Sequence, residues 1–143
     1  MSEDIKAHMR RFYQEVFNEG RIDLIDELAT PGFVEHETAP GIPPGREGVK
    51  QFFSAFRAAV PDLTATVEDL IAEGDRGVAR VTLSGTQTGE FFGIPATGKQ
   101  FRIDTIDIVR FENGLAAEHW GVTDMAGMME QLGVLEPAMA GTA

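Results

Sequence analysis

Asp107 is the residue whose position most needs a chemical reason. In the run FRIDTIDIVRF, the alternate positions Phe101, Ile103, Thr105, Val109 and Phe111 share its face, so an aspartate stands in the middle of an apolar stripe. A buried carboxylate must find hydrogen bonds, a counter-charge or a proton. Burial disfavours the anion, which is how a carboxyl becomes an acid or base near neutral pH. Two plainer arrangements compete: a carboxylate satisfied by a neighbouring strand, or a stripe that faces solvent at this point. Asp104, on the opposite face among Ile106 and Ile108, is the rival position. His119 is the second candidate. It lies in the following run, LAAEHWGVT, and Asn113-Gly114 between the two runs is the strongest short-range signal for a tight hairpin. Counting back from that turn sets Asp107 opposite Trp120 and beside His119, and a bulge would swap the faces. An imidazole beside a carboxylate is an acid/base pair. In a dry pocket the imidazole is expected to be disfavoured as a cation.

Around this pair stand candidate substrate-binding side chains. Tyr13, the single tyrosine, lies on the apolar face of the first helical segment, where its hydroxyl either points into a cavity or packs in the core. His36 would sit at a pocket mouth, just before a proline-rich loop. Phe53, Gln87, Phe92 and Trp120 complete the set. His8 reads as an exposed helix residue. No metal or cofactor is expected. Cysteine is absent and only three histidines are present. EHETAPG offers one histidine and two glutamates without helical spacing, and GIPPGREG lacks the lysine of a phosphate-binding loop. No nucleophilic serine elbow is present.

The elements that must position these groups are legible from periodicity. Residues 4–18 are amphipathic at helical spacing, through Ile5, Met9, Phe12, Tyr13, Val16 and Phe17. A short second helix carries Ile22, Ile25 and Leu28 and should break at Pro31-Gly32. Residues 33–36 read as a short strand. ETAPGIPPG, with three prolines and two glycines, is a loop long enough to rim a site. A third helix runs over residues 46–60, with Val49, Phe52, Phe53 and Phe56 on one side. Strands follow at 63–73, 78–88, 100–112 and 115–123, with a loop at 89–98. A last helix carries Met125, Met128, Met129 and Leu132 and stops at Gly133, and the tail EPAMAGTA should fray. Helices segregated from hairpin-linked strands predict an α+β domain, one unit over residues 1–143.

Bulk properties narrow the partners. A net charge of −11 repels phosphate backbones, which argues against nucleic acid. No stretch approaches the ~20 apolar residues of a membrane span. The N-terminus lacks the apolar core of a signal peptide, so a cytoplasmic location is expected.

The segments VEHETAPGIPPGREGVKQFF, TLSGTQTGEFFGIPATGKQF, IDIVRFENGLAAEHWGVTD and MMEQLG together resemble the SnoaL-like polyketide cyclase family. That family sits within the wider group of ketosteroid isomerases, nuclear transport factor 2 and limonene epoxide hydrolase. The resemblance spans nearly the whole chain. It implies a cone: a curved antiparallel sheet packed on N-terminal helices, an NTF2-like (cystatin-like) α+β barrel. It also implies a cofactor-free intramolecular aldol condensation that closes a ring of a polyketide methyl ester, in a homodimer or homotetramer. In the cyclases it resembles, the acid/base aspartate falls two residues after the histidine of the EHW segment, which is Gly121 here, and a pocket histidine falls at Asp107. Ketosteroid isomerases, which it resembles more distantly, place an oxyanion-donating aspartate near Asp107. Two functions follow. One is a cofactor-free enzyme moving protons beside a carbonyl, as cyclase, isomerase or hydrolase, with Asp107 and His119 catalytic. The other is a non-catalytic member that binds a small apolar ligand or a partner protein. A deep pocket with Asp107 and His119 in hydrogen-bond reach favours the first; a filled cone favours the second.

Overall fold

The computed structural model describes residues 2–135; the EPAMAGTA tail lies outside the described residues. The first amphipathic segment folds as α1 (Ser2–Arg11), which buries Ile5 and Met9. It passes directly into a π-helical stretch, Phe12–Asn18, that buries Tyr13, Val16 and Phe17. Such widened turns recur at functional sites. Here it sets the rings of Tyr13 and Phe17 5.5 Å apart on the inward side. A 3₁₀ turn, Ile22–Leu24, leads into α2 (Ile25–Leu28).

The chain then departs from the periodicity reading. The helix ends at Leu28, and Pro31 and Gly32 lie inside a strand, β1 (Ala29–Glu35), rather than breaking a helix. Proline is tolerated there because β1 is an edge strand. α3 (Arg46–Ala59) turns Phe53, Phe56 and Ala59 into the core.

The remaining strands match their sequence boundaries closely: β2 (Thr64–Glu73), β3 (Arg76–Thr86), β4 (Gln100–Glu112) and β5 (Leu115–Thr123). α4 (Met125–Gln131) follows, with Asp124 Oδ1 accepting from the Gly127 N–H at its start. The sheet order is β1-β5-β4-β3-β2. The β2–β3, β3–β4 and β4–β5 pairs are antiparallel, as expected. The β1–β5 pair is parallel, so the sheet is mixed rather than wholly antiparallel. The physical reason is the connection: a long excursion through α3 and three strands separates β1 from β5, and only a hairpin would force antiparallel pairing. The result is an α+β cone, with the sheet curved around the N-terminal helices and α3.

The β4–β5 hairpin turns at Asn113 (φ 50°) and Gly114 (φ 81°), the left-handed pair that a two-residue turn needs. Glu112 pairs with Leu115 and Phe111 with Ala116, but Arg110 pairs with Glu118. One extra residue is therefore accommodated on β5. This bulge corrects the register counted from the turn: Asp107 lies opposite Gly121, not Trp120. Without it, Trp120 would face inward and His119 outward.

Candidate active site

Between the concave face of the sheet, the first helix, α3 and the loop after β1 lies a cavity of about 380 Å³, within the range that holds a small organic ligand. Its walls are mostly apolar, with Phe12, Phe17, Phe52, Phe53 and Phe92 among them. Phe17 and Phe53 meet edge to face with centroids 4.6 Å apart. A connected polar group interrupts this lining.

Asp107, 8% exposed, is at its centre. Tyr13 Oη donates to Asp107 Oδ2 at 2.5 Å, and His119 Nε2 donates to Asp107 Oδ1 at 2.9 Å. The other nitrogen of His119, Nδ1, donates to Glu35 Oε1 at 2.5 Å. Asp107 thus accepts on both oxygens, and His119 bridges two carboxylates. Burial pushes the His119 pKa down, but the hydrogen bonds to Asp107 and Glu35, with their charges, outweigh it and hold the imidazole at about 10. The expectation of an imidazole disfavoured as a cation is overturned. Glu35, which sequence reasoning left out, supplies the second counter-charge. Burial, then the neighbouring Asp107 carboxylate, pushes the Tyr13 hydroxyl well above its ordinary value, so it serves as a neutral donor.

A third carboxylate arrives from the bend that follows β1. Glu37 Oε2 accepts from Thr123 Oγ1 at 2.7 Å, and Thr123 Oγ1 lies 3.1 Å from Thr105 Oγ1. The Glu37 N–H donates to Glu35 Oε1 at 2.9 Å. Burial raises the Glu37 pKa against the opposing pull of Thr123 and His119. The signal for both glutamates was present in the sequence: Phe33, Glu35 and Glu37 alternate in FVEHE, and strand periodicity carries all three to the inner face.

The same alternation removes other candidates from the cavity. His36 and Trp120 both point to the convex side, their rings stacked at 4.9 Å and 5°, with Arg76 over the indole. His36 Nε2 lies 2.7 Å from Glu118 Oε2, again outside. Neither lines the cavity. Gln87 is buried but serves the 87–99 loop. Its Nε2 donates to Ile94 O and Pro95 O, and its Oε1 accepts from Thr97 Oγ1 and the Thr97 N–H. Its amide is fully occupied and takes no part in the lining. Tyr13, Phe53 and Phe92 do line the cavity. So does His8, which is half-buried rather than exposed. Its Nε2 donates to Leu28 O at 2.9 Å, and its ring meets Phe111 edge-on.

Glu37, Asp107 and His119 each present a potential donor atom within 4.8 Å of the others. A cation there would have to displace the His119–Asp107 hydrogen bond and deprotonate an imidazole held at about 10, so the donor set fits an ion poorly.

Comparison with known proteins bears on the same residues. The family model for the SnoaL-like polyketide cyclases matches residues 7–132. The chain belongs to the SnoaL-like polyketide cyclase family. Within it, the chain is 29% identical to the nogalonic acid methyl ester cyclase of Streptomyces nogalater over 119 residues, covering 82% of this chain and 89% of that one. It is 30% identical to the aklanonic acid methyl ester cyclase DauD of Streptomyces sp. (strain C5) over 140 residues, covering 89% of this chain and 81% of that one. Among solved structures, TsrD from Streptomyces laurentii superposes with a TM-score of 0.86 at 36% identity, covering 94% of this chain and 98% of that one. The chain is thus a polyketide cyclase-type protein with an NTF2-like cone. Position 121, where the family resemblance implies an acid/base aspartate, is glycine in this chain.

Proposed function

We propose that this protein is a cofactor-independent cyclase that closes a ring of a small, largely apolar polyketide methyl ester by intramolecular aldol addition. The observation that carries the reading is the Tyr13–Asp107–His119–Glu35 chain of hydrogen bonds set into an otherwise apolar cavity. In the reaction a C–H bond beside a carbonyl breaks and its electron pair delocalises as an enolate. The enolate carbon attacks a second carbonyl to form a C–C bond, and the alkoxide takes up a proton. Atoms balance without an oxidant or a second substrate.

Asp107 and His119 are the catalytic pair. They share a proton across 2.9 Å, so a rising negative charge on a substrate oxygen can draw the imidazolium N–H away from Asp107. Tyr13 holds the other Asp107 oxygen and fixes the orientation. Phe53 and Phe92 contact the apolar body of the substrate. The protein is expected to act in the cytoplasm as a homodimer or homotetramer, with a second copy covering the convex sheet face, where Ile71, Ile106 and Val122 are exposed. No described helix is long and apolar enough to cross a membrane.

The test is incubation with aklanonic acid methyl ester and nogalonic acid methyl ester, in water and in D₂O. Ring closure appears as a product of unchanged mass and altered retention, and α-proton removal appears as deuterium uptake. Neither signal above buffer, for either compound, would return the chain to the ligand-binding alternative.

A further inference from the structure

Gly121 sits on β5 directly opposite Asp107, and its side-chain direction points at the carboxylates of Glu37 and Asp107 and the ring of His119. A Cβ built there would fall on Glu37 Oε1, and would lie 2.9 Å from His119 Cε1 and 3.0 Å from Asp107 Oδ1. The volume that a side chain at position 121 would fill is therefore occupied by the Glu37 carboxylate, delivered from a different part of the chain. Gly121 and Glu37 are two halves of one arrangement: the missing side chain is the space, and the loop glutamate fills it.

The two oxygens of Glu37 differ. Thr123 Oγ1 holds Oε2 at 2.7 Å, which fixes the rotamer, while Oε1 accepts from no donor among the described residues. Asp107 has both oxygens engaged, by Tyr13 and His119. Of the three carboxylates that line the cavity, Asp107 accepts on both oxygens and Glu35 Oε1 accepts from both His119 Nδ1 and the Glu37 N–H, whereas Glu37 Oε1, unengaged among the described residues, lies over Gly121 at the polar centre. The reaction class needs two proton-handling groups, one for carbon and one for oxygen.

Resting on the cyclase reading above, we propose that Glu37 is a catalytic residue: its Oε1 takes the proton from the substrate carbon, leaving the Asp107–His119 pair to serve the oxygen. The C–H electron pair passes into the enolate and the proton goes to Glu37. The new alkoxide takes its proton from the Asp107–His119 pair, and Glu37 then releases its proton to solvent while the pair takes one back, so both groups are reset. The groups facing Glu37 are Glu35 on β1, Asp107 on β4, His119 and Thr123 on β5, and Tyr13 on the π-helical stretch. Burial above all, with smaller help from the Asp107 and Glu35 anions, raises the Glu37 carboxyl above its usual range against the opposing pull of Thr123 and His119. A base with that property loses activity as pH falls through its raised value.

The experiment uses the full chain and aklanonic acid methyl ester, with deuterium uptake in D₂O as a second readout. Glu37→Gln keeps the shape and the bond from Thr123. It should lower kcat by about 100-fold or more with KM little changed, and remove the acidic limb of the pH profile. Glu37→Ala should be equally impaired, and Glu37→Ala combined with Gly121→Asp should recover a large part of the loss, because the carboxylate returns to the same space from β5. Gly121→Asp alone should fail, since both carboxylates compete for one volume. Glu37→Gln with wild-type kcat, or an unchanged acidic limb, would overturn the role of Glu37 while leaving the cyclase reading intact. A recovery by Gly121→Ala as large as that by Gly121→Asp would show a packing role and also overturn it. A wild-type protein inert in both readouts would instead sink the cyclase reading, and the role of Glu37 with it.

Discussion

The two faces of the β4–β5 hairpin are made from alternate residues of the same strands, yet they carry opposite inventories. The concave face holds two hydrogen-bonded pairs, Thr105–Thr123 and Asp107–His119, which Glu37 and Glu35 join into one group. The convex face shows Ile106 at 47% exposure and Val122 at 77%, with Ile108 and Trp120 beside them. Most of the hairpin follows the ordinary rule for a half-buried sheet, with Phe101, Ile103, Val109 and Phe111 inside and Asp104, Arg110 and Glu118 outside, and only the stretch around Asp107 reverses it. The inversion at this hairpin separates two demands. Polar groups buried inside cost stability and apolar groups exposed outside cost solubility, and the proposed chemistry and the proposed contact between copies would offset these costs on the two sides. The bulge at Arg110/Phe111 decides which set faces which way.

The contrast between the faces breaks most sharply at Asp107. Asp107→Asn should lower turnover of aklanonic acid methyl ester by about 10²–10⁴-fold while the circular dichroism spectrum is unchanged. The amide cannot accept from both Tyr13 and His119, so the imidazole pKa, read by NMR, should fall as well. A variant that keeps full turnover would remove Asp107 from the mechanism.

The apolar wall of the inner face is the next largest test. Phe53, 7% exposed and in edge contact with Phe12 and Phe17, should cost about 3–5 kcal/mol when replaced by alanine. Chemical denaturation that matches wild type would show that the ring is not part of the core.

A smaller effect distinguishes the inner charges by pH. His119 is held at about 10 in the folded protein against 6.5 for a free imidazole. A group raised by folding stabilises fully below its unfolded pKa, and that contribution is lost as pH rises through the folded value. The stability advantage of wild type over His119→Gln should therefore be greatest below about pH 6.5 and shrink up to about pH 10. A difference that is constant over this range would argue against a charged His119.

The outer face carries the smallest expected change in activity. Val122→Lys should shift the protein toward the monomer in analytical ultracentrifugation and leave turnover per chain nearly unchanged. A variant of unaltered sedimentation would mean that this face is not the interface between copies.

Asp107 was legible because an acidic residue inside a two-residue apolar repeat is costly to bury unless a partner or a proton compensates it. His119 was legible through the Asn-Gly turn, which fixes the hairpin, though the register came out one residue off. A bulge leaves no mark in composition; it reflects how two twisted strands fit around the helices. Glu35 and Glu37 were written in the alternation of FVEHE, but they matter only because β1 lies parallel beside β5, a pairing between residues more than 80 positions apart. His36 and Trp120 were misplaced for the same reason: each has the right chemistry and stands one residue away from the inner face.

The sequence by itself determined the elements, the hairpin, the apolar helix faces and the presence of an ionisable group inside, since these follow from local periodicity and turn chemistry. Tertiary structure alone decided which ionisable groups meet. The charge of His119 depends on two carboxylates from two other strands. The Glu37 carboxylate fills the space over Gly121 only because a bulge, a parallel edge strand and a glycine coincide at one point of the cone. Local rules give each residue its face, but the electrostatics of a buried group are set by neighbours that the chain brings together from a distance.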